Sequence, residues 1–140
     1  MTIQAVLLPL FVQVLLTLVL LYWMAGVRTA AFRRREVHPR DIALREPNWP
    51  PHTVPVANAY ANALELPLLF YVLVILAWVT RKADLLFVIM SWLFVLSRIA
   101  QAYVHVTSNR VSRRGLFFLI GALVLTIMWI IFMVRILLAI

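Results

Sequence analysis

The sequence predicts an all-α integral membrane protein, folded as a bundle of four transmembrane helices. Hydrophobic residues make up 65% of the 140 residues, and only 13% are charged. An ordinary soluble domain has about half its residues apolar and about a quarter charged. The mean hydropathy of +0.99 agrees with this. Four apolar segments also reach the length of about 18 residues that marks a candidate membrane helix.

We expect these helices at about 3–27, 54–80, 85–107 and 116–140, within a single domain that covers residues 1–140. The first segment carries no charged residue. Several prolines precede the second segment and mark its start, as prolines commonly do at loop-to-helix junctions. A four-residue turn joins the second and third segments. A short basic loop joins the third and fourth.

The basic residues predict the orientation of the helices. Of the thirteen Lys and Arg, six lie in the loop 28–53 and three in the loop 108–115, whereas the turn 81–84 holds two. Cytoplasmic loops carry an excess of Lys and Arg, so we expect both basic loops in the cytoplasm and both termini in the periplasm of a bacterial inner membrane. The net charge of +8 is then a signature of topology and of contact with membrane lipids, and we expect no nucleic-acid partner.

The residue types exclude several kinds of chemistry. The chain has no cysteine, which excludes disulfides, thiolate metal sites and a cysteine nucleophile. His38 and His52 lie in the first loop without a spaced set of further ligands, so we expect no metal site. A small transporter is also disfavoured, because its usual mark is a pair of broken helices in corresponding halves, and only the second segment has a central proline, Pro67.

Two charges lie inside predicted membrane helices. At about 1.5 Å per helical residue, Glu65 lies about 20 Å beyond His52, and Arg98 lies about 18 Å before Arg110. Because both helix ends are predicted on the same side, the two charges should meet at one depth and pair. Charged residues in membrane helices usually pair and often mark a functional site. The residues leave open whether this pair fixes helix register alone or also serves a ligand.

Polar residues extend from both charges toward the predicted cytoplasmic side at helical spacing. On the second helix they are Asn58, Asn62 and Glu65; on the third they are Arg98, Gln101, His105 and Asn109. Two facing polar stripes would line a cleft that opens to the cytoplasm and suits an anionic, hydrogen-bonding ligand. On the first helix, Gln13 and Thr17 should face another helix, and packing in a trimer is one hypothesis for them.

These residues resemble the family of membrane-associated proteins in eicosanoid and glutathione metabolism (MAPEG). The second helix carries Asn62-Ala-Leu-Glu65-Leu-Pro67, and the third carries Arg98, then Gln101 and His105, followed by a basic loop with Arg110 and Arg114. The run that begins at Arg33 and ends at Pro39 resembles the basic segment that follows the family's first helix. The resemblance covers most of the chain and rests on the order, spacing and topology of these elements.

The resemblance implies a homotrimer that binds glutathione as co-substrate between protomers, near the cytoplasmic face. It implies that Arg114 acts catalytically by stabilising the glutathione thiolate. It assigns glutathione binding to a set of side chains: Asn62, Glu65, Arg98, Gln101, His105 and Arg110. The expected activity is that of a glutathione transferase or peroxidase acting on lipophilic small molecules from the bilayer.

The sequence departs from the family pattern at several of these positions. Asn58 occupies the position at which members of the family carry an arginine that binds glutathione. Gln101 and His105 occupy positions at which tyrosine is common, and Leu66 follows Glu65 where a tyrosine can occur. These departures leave open a second interpretation: a non-catalytic membrane scaffold, or a protein of the same fold that binds another lipid-phase ligand.

Overall fold

The computed structural model describes residues 2–41, 49–107 and 111–140, and it contains four long helices in that part of the chain. They are α1 (Ile3–Arg33), α2 (Val54–Val79), α3 (Leu85–Val106) and α4 (Val111–Leu137). Each is long and apolar enough to cross a membrane. The predicted all-α, four-helix fold class is therefore confirmed.

Two helices, α1 and α4, extend beyond their predicted apolar segments into the adjoining loops. The structure continues α1 to Arg33, past the expected end near residue 27, and starts α4 at Val111, before the expected start at 116. Hydropathy locates the stretch of chain that fits in hydrocarbon, whereas backbone hydrogen bonds continue through polar residues with adequate helix propensity. At its other end α4 stops at Leu137, followed by Ala139 in the left-handed region.

Side-chain caps and left-handed residues define several helix ends. The Thr2 hydroxyl accepts a hydrogen bond from the Ala5 N–H (3.2 Å) at the start of α1, and the Asp84 carboxylate accepts one from the Phe87 N–H (3.0 Å) at the start of α3. Such caps satisfy backbone donors that have no partner inside the helix. Just after the end of α2, Arg81 adopts a left-handed conformation with φ 60°. The Lys82 N–H donates a hydrogen bond to the Ala77 carbonyl in the last turn of the helix.

The first loop folds back on the end of α1. The Trp49 ring lies 4.4 Å from the Arg28 guanidinium carbon and packs edge-on against Phe32. His52 Nε2 lies 2.7 Å from a Glu36 carboxylate oxygen. A 3₁₀ turn, Pro51–Thr53, then leads directly into α2. These contacts fix the start of α2 beside the end of α1.

The main apolar core lies in the half of the bundle near the turn between α2 and α3. Phe70 of α2 and Phe94 of α3 are fully buried there, with ring centroids 4.8 Å apart. At this end of the molecule, Arg135 of α4 donates to the Lys82 carbonyl (3.0 Å) and to the Asp84 carboxylate (3.1 Å). The opposite half contains a smaller cluster rich in alanine, formed by Leu20, Ala59, Ala63 and Ala102.

Gly121 sets the approach of α4 to α3. A Cβ at this position would lie 2.7 Å from the Ser97 hydroxyl oxygen and 3.6 Å from Arg98 Cδ. Ser97 also donates to the Phe94 carbonyl at 2.6 Å, so its hydroxyl is held in place. Small residues allow membrane helices to approach closely, and here the glycine lets α4 cover the stem of Arg98.

We predict that Gly121→Leu lowers the free energy of unfolding by about 1–3 kcal/mol, because the added side chain overpacks the α3–α4 interface. Thermal and denaturant unfolding in detergent would measure the loss. Gly26→Leu is the matched control, since a Cβ at Gly26 meets nothing within 4 Å. Equal stability of the two variants would contradict this account of Gly121.

Candidate functional site

Arg98 is the buried charge around which the candidate site is arranged. It lies on α3 with only 3% of its surface exposed. Its Nη2 donates a hydrogen bond to the backbone carbonyl of Asn62 on α2, at 2.7 Å. A carbonyl oxygen has two lone pairs and can accept this bond in addition to a helical one. Arg98 therefore ties α3 to the backbone of α2 inside the bundle.

The predicted direct ion pair between Glu65 and Arg98 is wrong for this structure. Their charges attract each other, but no Glu65 oxygen lies within 4.0 Å of the Arg98 guanidinium, and the Glu65 side chain is exposed. Arg98 contacts α2 at Asn62, less than one helical turn from Glu65. Residue counting thus placed the charges near one depth, but it could not place them on facing sides of their helices.

The polar side chains of α2 and α3 do not face each other across one cleft as predicted. Arg98 and Gln101 of α3 are buried inside the protomer. Asn58 and Glu65 of α2 are exposed, and Asn62 is half-buried. The structure therefore contains an inner polar cluster and, separately, an outward polar face of α2.

The inner cluster lies at the junction of three helices. Its cleft is lined by Gln13 and Leu16 of α1, by Ala59, Asn62 and Ala63 of α2, and by Arg98, Gln101 and Ala102 of α3. The space between these side chains is too narrow for a water molecule. Gln13, Arg98 and Gln101 therefore lie around one closely packed cleft.

The sequence predicted that Gln13 faces another helix, but it did not place Gln13 in this cluster. Gln13 is fully buried, which confirms that it faces another helix and shows that it packs within its own protomer; trimer packing does not explain it. Thr17, one turn later, donates to the Gln13 carbonyl at 3.0 Å. In the sequence, Gln13 stands out only as a single amide side chain in an apolar stretch, and nothing there indicates which residue it contacts.

Arg114 lies in the first turns of α4. Its side chain is half-buried, and its Nε is buried without a hydrogen-bond partner among the described residues. Neighbouring Arg113 is exposed. Arg110 and the side chain of His105 lie outside the described residues, so their predicted roles stay predictions. No group of three or more His, Asp or Glu that could hold a metal ion occurs in the described part of the chain.

Comparison with known proteins identifies the family of the chain. A model of the MAPEG family matches residues 6–134. The chain belongs to the MAPEG family. No significant match is found among curated proteins or among solved structures.

Membership makes this MAPEG protein an integral membrane protein of the eicosanoid and glutathione metabolism type, which confirms the resemblance seen in the sequence. The match begins in α1 and ends in α4. The family is associated with glutathione, but the geometry within one protomer leaves the predicted glutathione residues divided. Arg98 and Gln101 lie inside, Glu65 lies outside, and Asn62 connects the two sides through its backbone.

We predict that Glu65→Gln lowers the free energy of unfolding by far less than the 3–5 kcal/mol typical of breaking a direct buried ion pair. The reason is that Arg98 is held by the Asn62 carbonyl rather than by Glu65. Chemical unfolding in detergent would measure the change. A loss of several kcal/mol would show that the two side chains are in contact in the folded protein.

Proposed function

We propose that this MAPEG protein is a membrane-embedded, glutathione-dependent transferase or peroxidase that acts on lipophilic electrophiles. The observation that carries the proposal is the outward polar face of α2. Asn58 and Glu65 are exposed on this membrane-spanning helix, with Asn62 half-buried between them, and Glu65 lies near the middle of the helix. A charged residue at the centre of a membrane helix costs about 2.5–3.5 kcal/mol on insertion scales. A polar ligand and a neighbouring protomer would cover this face and remove that cost.

A homotrimer would place the outward face of α2 between protomers. Glu65 is exposed within a single chain, and closed cyclic symmetry would bring each copy of this face against the next protomer. The tripeptide would then lie between protomers, where Asn62 and Glu65 offer it a carboxamide and a carboxylate. Arg110 and His105 are proposed as further binding residues from the α3 side. Gln101, predicted with them, is buried in the inner cleft and is not placed to contact a ligand on the outward face of α2.

Arg114 is the proposed catalytic residue. A nearby cation lowers the pKa of a thiol and raises the fraction of nucleophilic thiolate at neutral pH. In the transferase reaction the glutathione sulfur would form a bond to the electrophilic carbon, and the leaving group would depart with its bonding electrons. The protein would have to hold the thiolate and admit an apolar electrophile from the lipid. A half-buried guanidinium with an unpartnered Nε is suited to the first task.

The topology proposed with this function puts the basic loops, and therefore the glutathione site, on the cytoplasmic side of a bacterial inner membrane. The six Lys and Arg of the loop 28–53 and the three of the loop 108–115 support this orientation. It also gives the site access to a water-soluble tripeptide from the cytoplasm and to lipophilic substrates from the bilayer.

Asn58 favours a second candidate function. It is exposed on the same face of α2, at the position where the family resemblance leads us to expect an arginine that grips glutathione. An amide supplies no positive charge for the carboxylates of the tripeptide. The alternative is a non-catalytic scaffold, or a protein of the same fold that binds another lipid-phase ligand.

Glutathione binding separates the two candidates. At one hundred times its dissociation constant, a ligand specific for the folded state adds about 2.7 kcal/mol of stability. We therefore expect millimolar glutathione to raise the melting temperature of the detergent-solubilised protein. Glutathione with its thiol S-methylated shows whether the tripeptide itself is recognised. No shift with either compound would contradict the glutathione proposal and favour the scaffold.

Arg114→Ala extends the same experiment to catalysis. Loss of a hydrogen bond to a charged group costs about 1.5–3 kcal/mol, so conjugation of a lipophilic electrophile should slow roughly tenfold to a hundredfold. The oligomeric state should not change. Arg113→Ala removes an equal charge from the exposed neighbour and should keep the wild-type rate. If Arg114→Ala loses both the conjugation rate and the oligomeric state, the role of this arginine is structural.

A further inference from the structure

The inner cleft concentrates buried polar atoms that lack partners. Among the described residues, the side chains of three cleft residues contribute five such atoms. They are Oε1 and Nε2 of Gln13, Nε and Nη1 of Arg98, and Oε1 of Gln101. The exposed fractions of these side chains are 0%, 3% and 4%. A membrane-embedded protein cannot satisfy such groups with solvent, so their pairing must come from within the cleft.

The unpartnered atoms are chemically complementary. Arg98 offers two N–H donors, at Nε and Nη1, and the amides of Gln13 and Gln101 offer two oxygen acceptors. The third guanidinium nitrogen, Nη2, already donates to the Asn62 carbonyl at 2.7 Å. All three residues line one cleft that is too narrow for water. The donors and acceptors that lack partners therefore lie around the same cleft.

We propose that Gln13 and Gln101 hold the Arg98 guanidinium through their amide oxygens, with the Asn62 carbonyl as the third acceptor. Gln13 of α1 is then a positioning residue for a charge on α3. All three acceptors are neutral, and no carboxylate of the described residues lies within 4.0 Å of Arg98, so no direct contact there compensates the charge of the guanidinium. It can attract Glu65 across α2 while leaving the Glu65 carboxylate free to contact a ligand on the outward face.

The availability of the Glu65 carboxylate for a ligand rests on the proposed glutathione function, whereas the hydrogen bonds to Arg98 do not. If Gln13 positions Arg98, its loss should also weaken glutathione binding without any contact between Gln13 and the tripeptide. The two parts can therefore fail separately, and the ligand-free protein provides the primary test.

A double-mutant cycle on the ligand-free protein tests the pairing. Gln13→Leu should lower the melting temperature by several degrees in the wild-type background. In an Arg98→Lys background, which lacks the Nε donor and the guanidinium fork, the same substitution should have much less effect. Gln4→Leu is the matched control, because Gln4 is an exposed glutamine on the same helix; it should be neutral in both backgrounds. Equal losses from Gln13→Leu in both backgrounds would overturn the proposal.

A spectroscopic measurement keeps the proposal falsifiable if Arg98→Lys does not fold. In protein labelled with ¹⁵N-arginine, a hydrogen-bonded and buried Arg98 Nε–H should exchange slowly with solvent. Gln13→Leu should shift this protected signal and accelerate its exchange, whereas Gln4→Leu should leave it unchanged. A protected arginine signal that is identical in wild type and Gln13→Leu would overturn the role of Gln13.

The dissociation constant of glutathione completes the test. We expect Gln13→Leu to raise it several-fold and Gln4→Leu to leave it unchanged. If the wild-type protein binds no glutathione, the proposed function fails while the cycle still decides the pairing. If the cycle shows coupling but the dissociation constant does not change, Gln13 positions Arg98 without consequence for the ligand, and the functional part of the inference is overturned.

Discussion

The Arg98 guanidinium is buried where three helices meet, and this burial governs how α1, α2 and α3 pack together. A charge in the middle of a membrane helix must be surrounded by polar groups. Here a backbone carbonyl of α2 supplies one contact, at 2.7 Å, and amide side chains of α1 and α3 lie in the same cleft. Three helices must therefore meet at one level, which fixes their relative depth and rotation more strongly than interchangeable apolar contacts could.

The small residues around Arg98 follow from the same constraint. Ala59, Ala63 and Ala102 keep α2 and α3 close at the level of the cleft. Gly121 allows α4 to pass over the Arg98 stem, where even a methyl group would meet the Ser97 hydroxyl at 2.7 Å. Bulkier side chains would open the cleft, and a guanidinium with access to lipid would lose its polar surroundings.

Arg98 is buried between α1, α2 and α3 and pairs with no carboxylate among the described residues, which leaves Asn58 and Glu65 on the outer face of α2. Within a single chain Glu65 is exposed on a membrane-spanning helix, and we propose that a ligand, a second protomer or both cover it. This division of roles is the physical basis of the proposed glutathione site. The family match supports the same type of protein without determining which ligand covers that face.

Hydropathy alone predicted the four helices, because length and apolarity are sufficient to locate a membrane span. It misplaced the ends of α1 and α4, where helix continues through arginine-rich sequence. Counting residues along the helices predicted that Glu65 and Arg98 lie at a similar depth in the membrane. It could not predict the direction of each side chain around its helix, because the sequence does not show which faces of α2 and α3 meet. Gln13 could be assigned to a buried face but not to Arg98, because that contact depends on a three-helix junction distant in sequence.

The absence of cysteine from the chain permits a direct test of whether the α2 face lines a polar cleft. Single cysteines at 58, 65 and 69 would be treated with a water-soluble maleimide in inverted bacterial membrane vesicles. Leu69 is also exposed, but it lies one turn beyond Glu65, where the polar stripe has ended. We expect labelling at 58 and 65 but not at 69. A cysteine at 65 that stays as unreactive as the one at 69 would show that this face meets lipid, and would contradict the account.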